Sequence, residues 1–241
     1  MRAPPNPVRA LQLAAAMLCL QFAIGVTNDL ADRTSDAVSK PYKPISRGVV
    51  DARSATVLAV ALTVAGLAAA ATINVTTLAF CVAGLASGFA YNFGLKRTAV
   101  SWLPWWAGFV ALPMAAYASA GALSSRLLLL VPLSGLIAFG LYLANAAPDI
   151  DHERRSRRAS IAVAIGAERS RQLAVVSIGV AEVLAIVFAP PSAHADWVLP
   201  AAGGVLLVAL VAVLAARISR PFPILALATA VFAIAWVATG L

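Results

Sequence analysis

Apolar stretches long enough to cross a bilayer recur along this chain with only short polar breaks, and no other property limits its fold so tightly. They fall at about 10–30, 54–73, 76–94, 100–120, 126–147, 171–190, 197–216 and 221–240, each near the roughly 20 residues a transmembrane helix needs. Pro104, Pro113 and Pro132 lie inside these stretches, which membrane helices tolerate when neighbours re-satisfy the backbone. With 61% hydrophobic and 12% charged residues, the chain lacks the polar surface that a soluble domain of this length requires. The expected fold is therefore all-α: a polytopic bundle of about eight transmembrane helices forming one membrane-embedded domain over 1–241, with 1–9 as a short N-terminal segment. The first apolar run is too long for the core of a cleavable signal peptide and ends in charges. Cys19 and Cys81 both sit within apolar runs without partners at redox or metal-ligand spacing, and read as small lipid- or core-facing residues.

The net charge of +8 tests this map. If the helices alternate in direction, one face collects the loops 31–53, 95–99, 148–171 and 217–220. Those loops carry 15 of the 18 basic residues, leaving Arg2, Arg9 and Arg126 for the other face. The asymmetry is that of the positive-inside rule, so it points to topology and excludes nucleic acid as a partner. It implies a multi-pass plasma membrane protein whose long loops face the cytoplasm.

The topology rule does not ask for the acids. Eight of the ten lie on or beside the same face, and six of those form two tight groups. The first motif, 28–36, reads Asn-Asp-Leu-Ala-Asp-Arg-Thr-Ser-Asp; the second, 145–153, reads Asn-Ala-Ala-Pro-Asp-Ile-Asp-His-Glu. Asp29, Asp32 and Asp36 fall at i, i+3 and i+7, so a continuing helix stacks them on one face. Asn145, Asp149 and Glu153 are spaced by four, with Pro148 marking a first turn or a kink. Carboxylates stacked this way repel one another, and a shared cation removes that penalty. Hard oxygen donors without Cys or a coordinating His suit Mg²⁺, which commonly bridges one or two carboxylates to substrate phosphates. Each motif is followed by bases: Lys40, Lys43 and Arg47 after the first, Arg154, Arg155, Arg157 and Arg158 after the second. Acid for metal beside cation for phosphate oxygens is what a diphosphate site needs. Lys43 and Arg47, in a Pro-stiffened segment, are the stronger phosphate candidates; Arg155, Arg158, Arg217 and Arg220 read as topology determinants.

The first motif, running into Lys40-Pro-Tyr-Lys-Pro-Ile-Ser-Arg-Gly48, resembles the first aspartate-rich motif and following loop of the UbiA superfamily of intramembrane prenyltransferases. The segment Asn145 to Gly166 is similar to the second motif, and Tyr91-Asn-Phe-Gly-Leu-Lys-Arg97 to the family's Tyr/Lys-Arg segment between the two. The resemblance runs from about residue 10 to the end. It implies an all-α bundle around a central cavity with cytoplasmic cap loops, in which Mg²⁺ binds a polyprenyl diphosphate at both motifs. A small lipophilic or aromatic acceptor then takes the prenyl group within the bilayer. Carried over residue by residue, Asn28, Asp29, Asp32 and Asp36 would serve one metal, and Asn145, Asp149 and Glu153 the other. Asp29, Asp32 and Asp149 would form the catalytic core. Lys43, Arg47, Lys96 and Arg154 would contact diphosphate, and Tyr91 would face the substrate cavity.

The chain departs from the family pattern in places. The family usually has nine spans and carries its first motif at the end of the second; here that motif ends the first. Glu153 stands where Asp is usual, Arg157 where Gly is common and Ser160 where Thr is. Glu182 is an acid well inside a span, and an intramembrane carboxylate is a functional candidate by default. Two other functions fit the same motifs: phosphoribosyl transfer to a polyprenyl phosphate, and a non-catalytic membrane relative of the family.

Overall fold

A computed structural model describes residues 6–155, 159–189 and 197–238, apart from the side chains of His152, Glu153 and Arg155. All regular structure among them is helical: α1 Pro7–Ser39, α2 Ala52–Ala71, α3 Val75–Phe93, α4 Leu103–Ser119, α5 Leu130–Ala146, α6 Ile150–Arg155, α7 Ile161–Ile165, α8 Ala167–Val187, α9 Val198–Ala215 and α10 Phe222–Ala238. Six stretches are long and apolar enough to cross a membrane: α1, α2, α3, the run 125–149 that contains α5, α8 and α9. The chain is an integral, multi-pass helical protein. Its many exposed large apolar side chains, such as Leu207, Val208 and Val211 on α9, suit contact with hydrocarbon rather than water.

The first helix is longer than the apolar run 10–30 suggested. Asn6 caps it, its side chain accepting from the backbone N–H groups of Val8 (3.0 Å) and Arg9 (3.3 Å), with Pro7 in the first turn. Its 33 residues span about 50 Å against a hydrocarbon layer of about 30 Å. The excess is close to the length of the segment that carries the first acidic motif. The helix stops at Lys40, directly before Pro41, whose ring disfavours helical geometry in the preceding residue.

By contact density the chain divides into two compact units, Met1–Lys96 with Ala107–Ser124, and Arg97–Trp106 with Ser125–Leu241. In the first unit, α1, α2 and α3 pack around Leu13, Ala16, Leu20, Ala70, Cys81, Leu85 and Ala115. Small residues set the approach of α1 to α2: a Cβ on Gly66 would lie 2.7 Å from Leu20 Cδ2 and 3.0 Å from the Ala16 carbonyl oxygen. In the second unit α5, α8, α9 and α10 bury Leu143, Ile178, Leu206, Leu225 and Phe232. There the Trp236 indole N–H donates to the Ala185 carbonyl at 2.6 Å. Helices α4 and α10, each of 17 residues, occupy the remaining expected spans, 100–120 and 221–240.

Candidate functional site

Within the first unit, three separate pieces of chain converge on the end of α1. Because α1 continues without a break through the first motif, Asp29, Asp32 and Asp36 do share one side of it. The segment after Lys40 then folds back through tight turns. Arg47 N–H donates to the Lys43 carbonyl (3.0 Å), Gly48 N–H to Ile45 (3.1 Å) and Val49 N–H to Pro44 (3.0 Å). This return lays Lys43 across two of the acids: its Nζ donates to Asp29 Oδ1 and Asp36 Oδ2, each at 2.7 Å. Burial alone would lower the Lys43 pKa, but the hydrogen bonds and charges of Asp29 and Asp36 together outweigh it and raise it above the usual lysine value.

The third piece is the end of α3. Gly94 closes that helix, and a single 3₁₀ turn, Leu95–Arg97, presents Lys96 to Asp32, with Nζ to Oδ1 at 2.7 Å. The Lys96 side chain is 4% exposed and that of Asp32 14%, so this is a largely buried ion pair. Asn92, not singled out by the sequence, fixes α3 against α1 one turn before the motif. Its side-chain N–H groups donate to the Ile24 carbonyl (2.9 Å) and to Thr27 Oγ1 (3.0 Å). Thr27 in turn donates to the backbone of its own helix. The available signal was an amide within an apolar span, where polar side chains bond across helices. Asn28 and Tyr91 are half-buried, and the Arg47 side chain is exposed in the return loop.

The second motif lies in the second unit. Here α5 ends at Ala146, one 3₁₀ turn with Pro148 covers Ala147–Asp149, and α6 begins at Ile150. The proline thus does both things its position suggested: it opens a short turn and interrupts the helix. Asn145 is exposed and Asp149 half-buried. Arg154 Nη2 donates to the Val163 carbonyl at 3.4 Å, tying α6 to α7, and Ser160 caps α7 by accepting from Val163 N–H at 3.3 Å. A buried hydrogen bond between Ser101 Oγ and Tyr142 Oη, 2.7 Å, holds the turn of α5 before the motif. The Glu153 side chain and Arg157 lie outside the described residues.

Among the described residues, no three acidic, histidine or cysteine side chains enclose a metal by themselves. Mg²⁺ keeps waters and takes one or two carboxylates together with substrate phosphate. The Lys43 ammonium acts as a stand-in cation. Its paired 2.7 Å contacts show that Asp29 and Asp36 can close on a single positive centre, and the donors are all hard oxygens. The residues present therefore fit the ion.

Residues 1–223 match the model of the UbiA prenyltransferase family. The chain belongs to that family. Among curated relatives, the chloroplastic chlorophyll synthase of Oryza sativa subsp. japonica is 25% identical over 185 residues, covering 68% of this chain and 47% of that protein. Its Arabidopsis thaliana counterpart is 25% identical over the same share of this chain and 46% of its own length. The chain thus spans about half the length of these relatives. A UbiA homologue from Aeropyrum pernix K1 superposes with a TM-score of 0.78 at 20% identity, covering 100% of this chain and 92% of that one. The Archaeoglobus fulgidus UbiA homologue bound to GPP and Mg²⁺ gives 0.73 at 15% identity, covering 98% and 89%. The helical UbiA fold is therefore shared along the whole chain.

Proposed function

We propose that this protein is a Mg²⁺-dependent transferase that moves a prenyl group from a polyprenyl diphosphate to a small lipophilic or aromatic acceptor within the membrane. The observation that carries the reading is the convergence of Asp29, Asp32 and Asp36 with Lys43 and Lys96 at the end of a membrane-length helix. Family membership supports it, as do the Archaeoglobus fulgidus homologue's complexes with GPP or DMAPP and Mg²⁺.

In this reading Asn28, Asp29, Asp32 and Asp36 from the first motif, and Asn145, Asp149 and Glu153 from the second, hold the ions. Bound Mg²⁺ would carry part of the negative charge that builds on the leaving diphosphate. Lys43 and Lys96, released from the carboxylates, turn to phosphate oxygens, with Arg47 and Arg154 as further cations and Tyr91 beside the substrate. The allylic C–O bond breaks with its electron pair on diphosphate. The acceptor then forms the new bond to that carbon and loses a proton to solvent. The apolar helices keep bulk water from the cation. The positive face, and with it both acidic motifs, lies in the cytoplasm.

Purified protein in vesicles with a radiolabelled polyprenyl diphosphate and a panel of lipophilic acceptors tests this. Labelled, extended acceptor should form with Mg²⁺ and cease with a chelator. Asp32→Asn and Asp149→Asn should each lower the rate by about 10²-fold or more. Product from phosphoribosyl diphosphate instead would overturn the donor assignment. Cellular function that survives both substitutions would establish a non-catalytic role.

A further inference from the structure

The side of α1 turned away from the acids holds a second feature. Between α1, α2 and α3 lies a groove of about 530 Å³ lined by Thr27, Leu30, Ala31 and Arg33, by Ala52 to Val64 along α2, and by Phe89 and Phe93. All of it belongs to the first compact unit. At about 100° per residue, Thr27, Leu30 and Ala31 project away from Asp29, Asp32 and Asp36, whereas Arg33 stands only about 40° round the helix from Asp29, so the apolar floor of the groove lies across α1 from the acids and its Arg33 end borders them. The polar side chains of its lining are three threonines, Thr27, Thr56 and Thr63, and one cation, Arg33.

The groove is graded along its length. Arg33, Ala52 and Phe93 stand at the end where α1 leaves its apolar run, where α2 begins and where α3 stops. From there the α2 residues run from Ala52 to Val64, about 18 Å at the helical rise. That is little more than half of the roughly 30 Å hydrocarbon layer, so the groove is one leaflet deep. Its volume falls within the range of sites that hold one small molecule. Among the described residues no acid pairs with the Arg33 side chain, which is exposed. Lys43 and Lys96 are both engaged with the acids on the far side of the helix.

We propose that this groove is a binding site for a membrane lipid with an anionic phosphate headgroup, one hydrocarbon chain lying along α2 and the headgroup phosphate on Arg33. Charge complementarity selects the occupant: an apolar slot ends at an uncommitted guanidinium on the basic face of the protein, where anionic lipids are drawn. None of the acids lines the groove, and the proposal does not depend on the prenyl-transfer reading.

The test uses the full chain in vesicles of phosphatidylcholine doped with a phosphatidylglycerol that carries a photoreactive group in its acyl chain, followed by peptide mapping. Label should fall within 52–64 and 89–93, and unlabelled phosphatidylglycerol should compete for it far better than extra phosphatidylcholine. Arg33→Gln should lower labelling about fivefold, the loss expected for one basic residue at an anionic lipid surface. Thr56→Trp, which fills the slot from an exposed position, should remove it while the protein still extracts as a folded species. Equal competition by phosphatidylcholine, or labelling indifferent to Arg33→Gln, overturns the proposal. So does displacement by geranyl diphosphate with Mg²⁺, which would make the groove a channel for the prenyl donor.

Discussion

Lys96 and Asp32 show how much one side chain can hold in place here. Both are largely withdrawn from water at a separation of 2.7 Å, and removing one partner of a buried pair leaves the other charge uncompensated. Lys96→Met should therefore destabilise the metal-free protein by about 3 kcal/mol. The double substitution with Asp32→Asn should recover much of that loss, and thermal unfolding in detergent with a chelator reads both. Asn92 acts through a different channel, since its two N–H groups bind α1 at Ile24 and Thr27 rather than any acid. It is a positioning residue. Asn92→Leu should remove about 1–2 kcal/mol of stability and weaken Mg²⁺ binding, read directly by titration calorimetry, while Asn92→Gln restores part of it. Asp51 offers a pH test outside the bilayer. The Ser54 hydroxyl and the Ser54 and Arg53 N–H groups hold its carboxyl below the usual aspartate range. A depressed carboxyl stabilises the fold above its unfolded pKa, and that contribution disappears as pH falls through the folded value. Hydrogen exchange at Arg53 and Ser54 should thus accelerate below about pH 4 beyond its intrinsic pH dependence.

At the scale of elements, helix pairs are set by how closely their backbones approach. Gly140 on α5 makes the tightest demand in the second unit: a Cβ there would lie 2.7 Å from Ile178 Cγ1 and 2.9 Å from the Ala174 carbonyl oxygen. The isoleucine can yield, but the backbone oxygen cannot do so without moving α8. Gly140→Ala should cost about 1–3 kcal/mol, whereas Gly204→Ala, with open space around it, should be nearly neutral; denaturant or thermal melts compare the two. Much of this level could be read from the sequence. Apolar length located the helices, and the i, i+3, i+7 spacing of Asp29, Asp32 and Asp36 gave the acidic face once α1 ran on to Ser39. What could not be read was which cation meets which acid. Lys43 reaches Asp29 and Asp36 only because the turns after Pro41 fold the chain back, and Lys96 reaches Asp32 only through the 3₁₀ turn after α3. Those are tertiary outcomes with no periodic signature. The groove beyond α1 was hidden for the same reason, since its lining comes from three helices and no spacing within one of them marks it.

For the whole molecule, the distribution of charge makes a claim that neither compact unit makes alone. Fifteen of eighteen bases fall in four of the seven loops between the expected spans, the four that share a side if the helices alternate, and moving those loops across a bilayer is strongly disfavoured. The extended end of α1 belongs to the first unit and the turn at Pro148 to the second. If the spans alternate, both must emerge on the same side of the membrane, a condition that any reaction drawing on both acidic motifs has to meet. Single cysteines placed at Ser46 and Arg169, in a chain with Cys19 and Cys81 replaced by alanine, test it in intact cells. A membrane-impermeant maleimide should leave both unlabelled until the cells are opened, whereas a cysteine at Ser124, between α4 and α5, should label from outside. If Ser46 and Arg169 label from opposite sides, the helix count between them is odd rather than even, and the two motifs cannot serve one substrate.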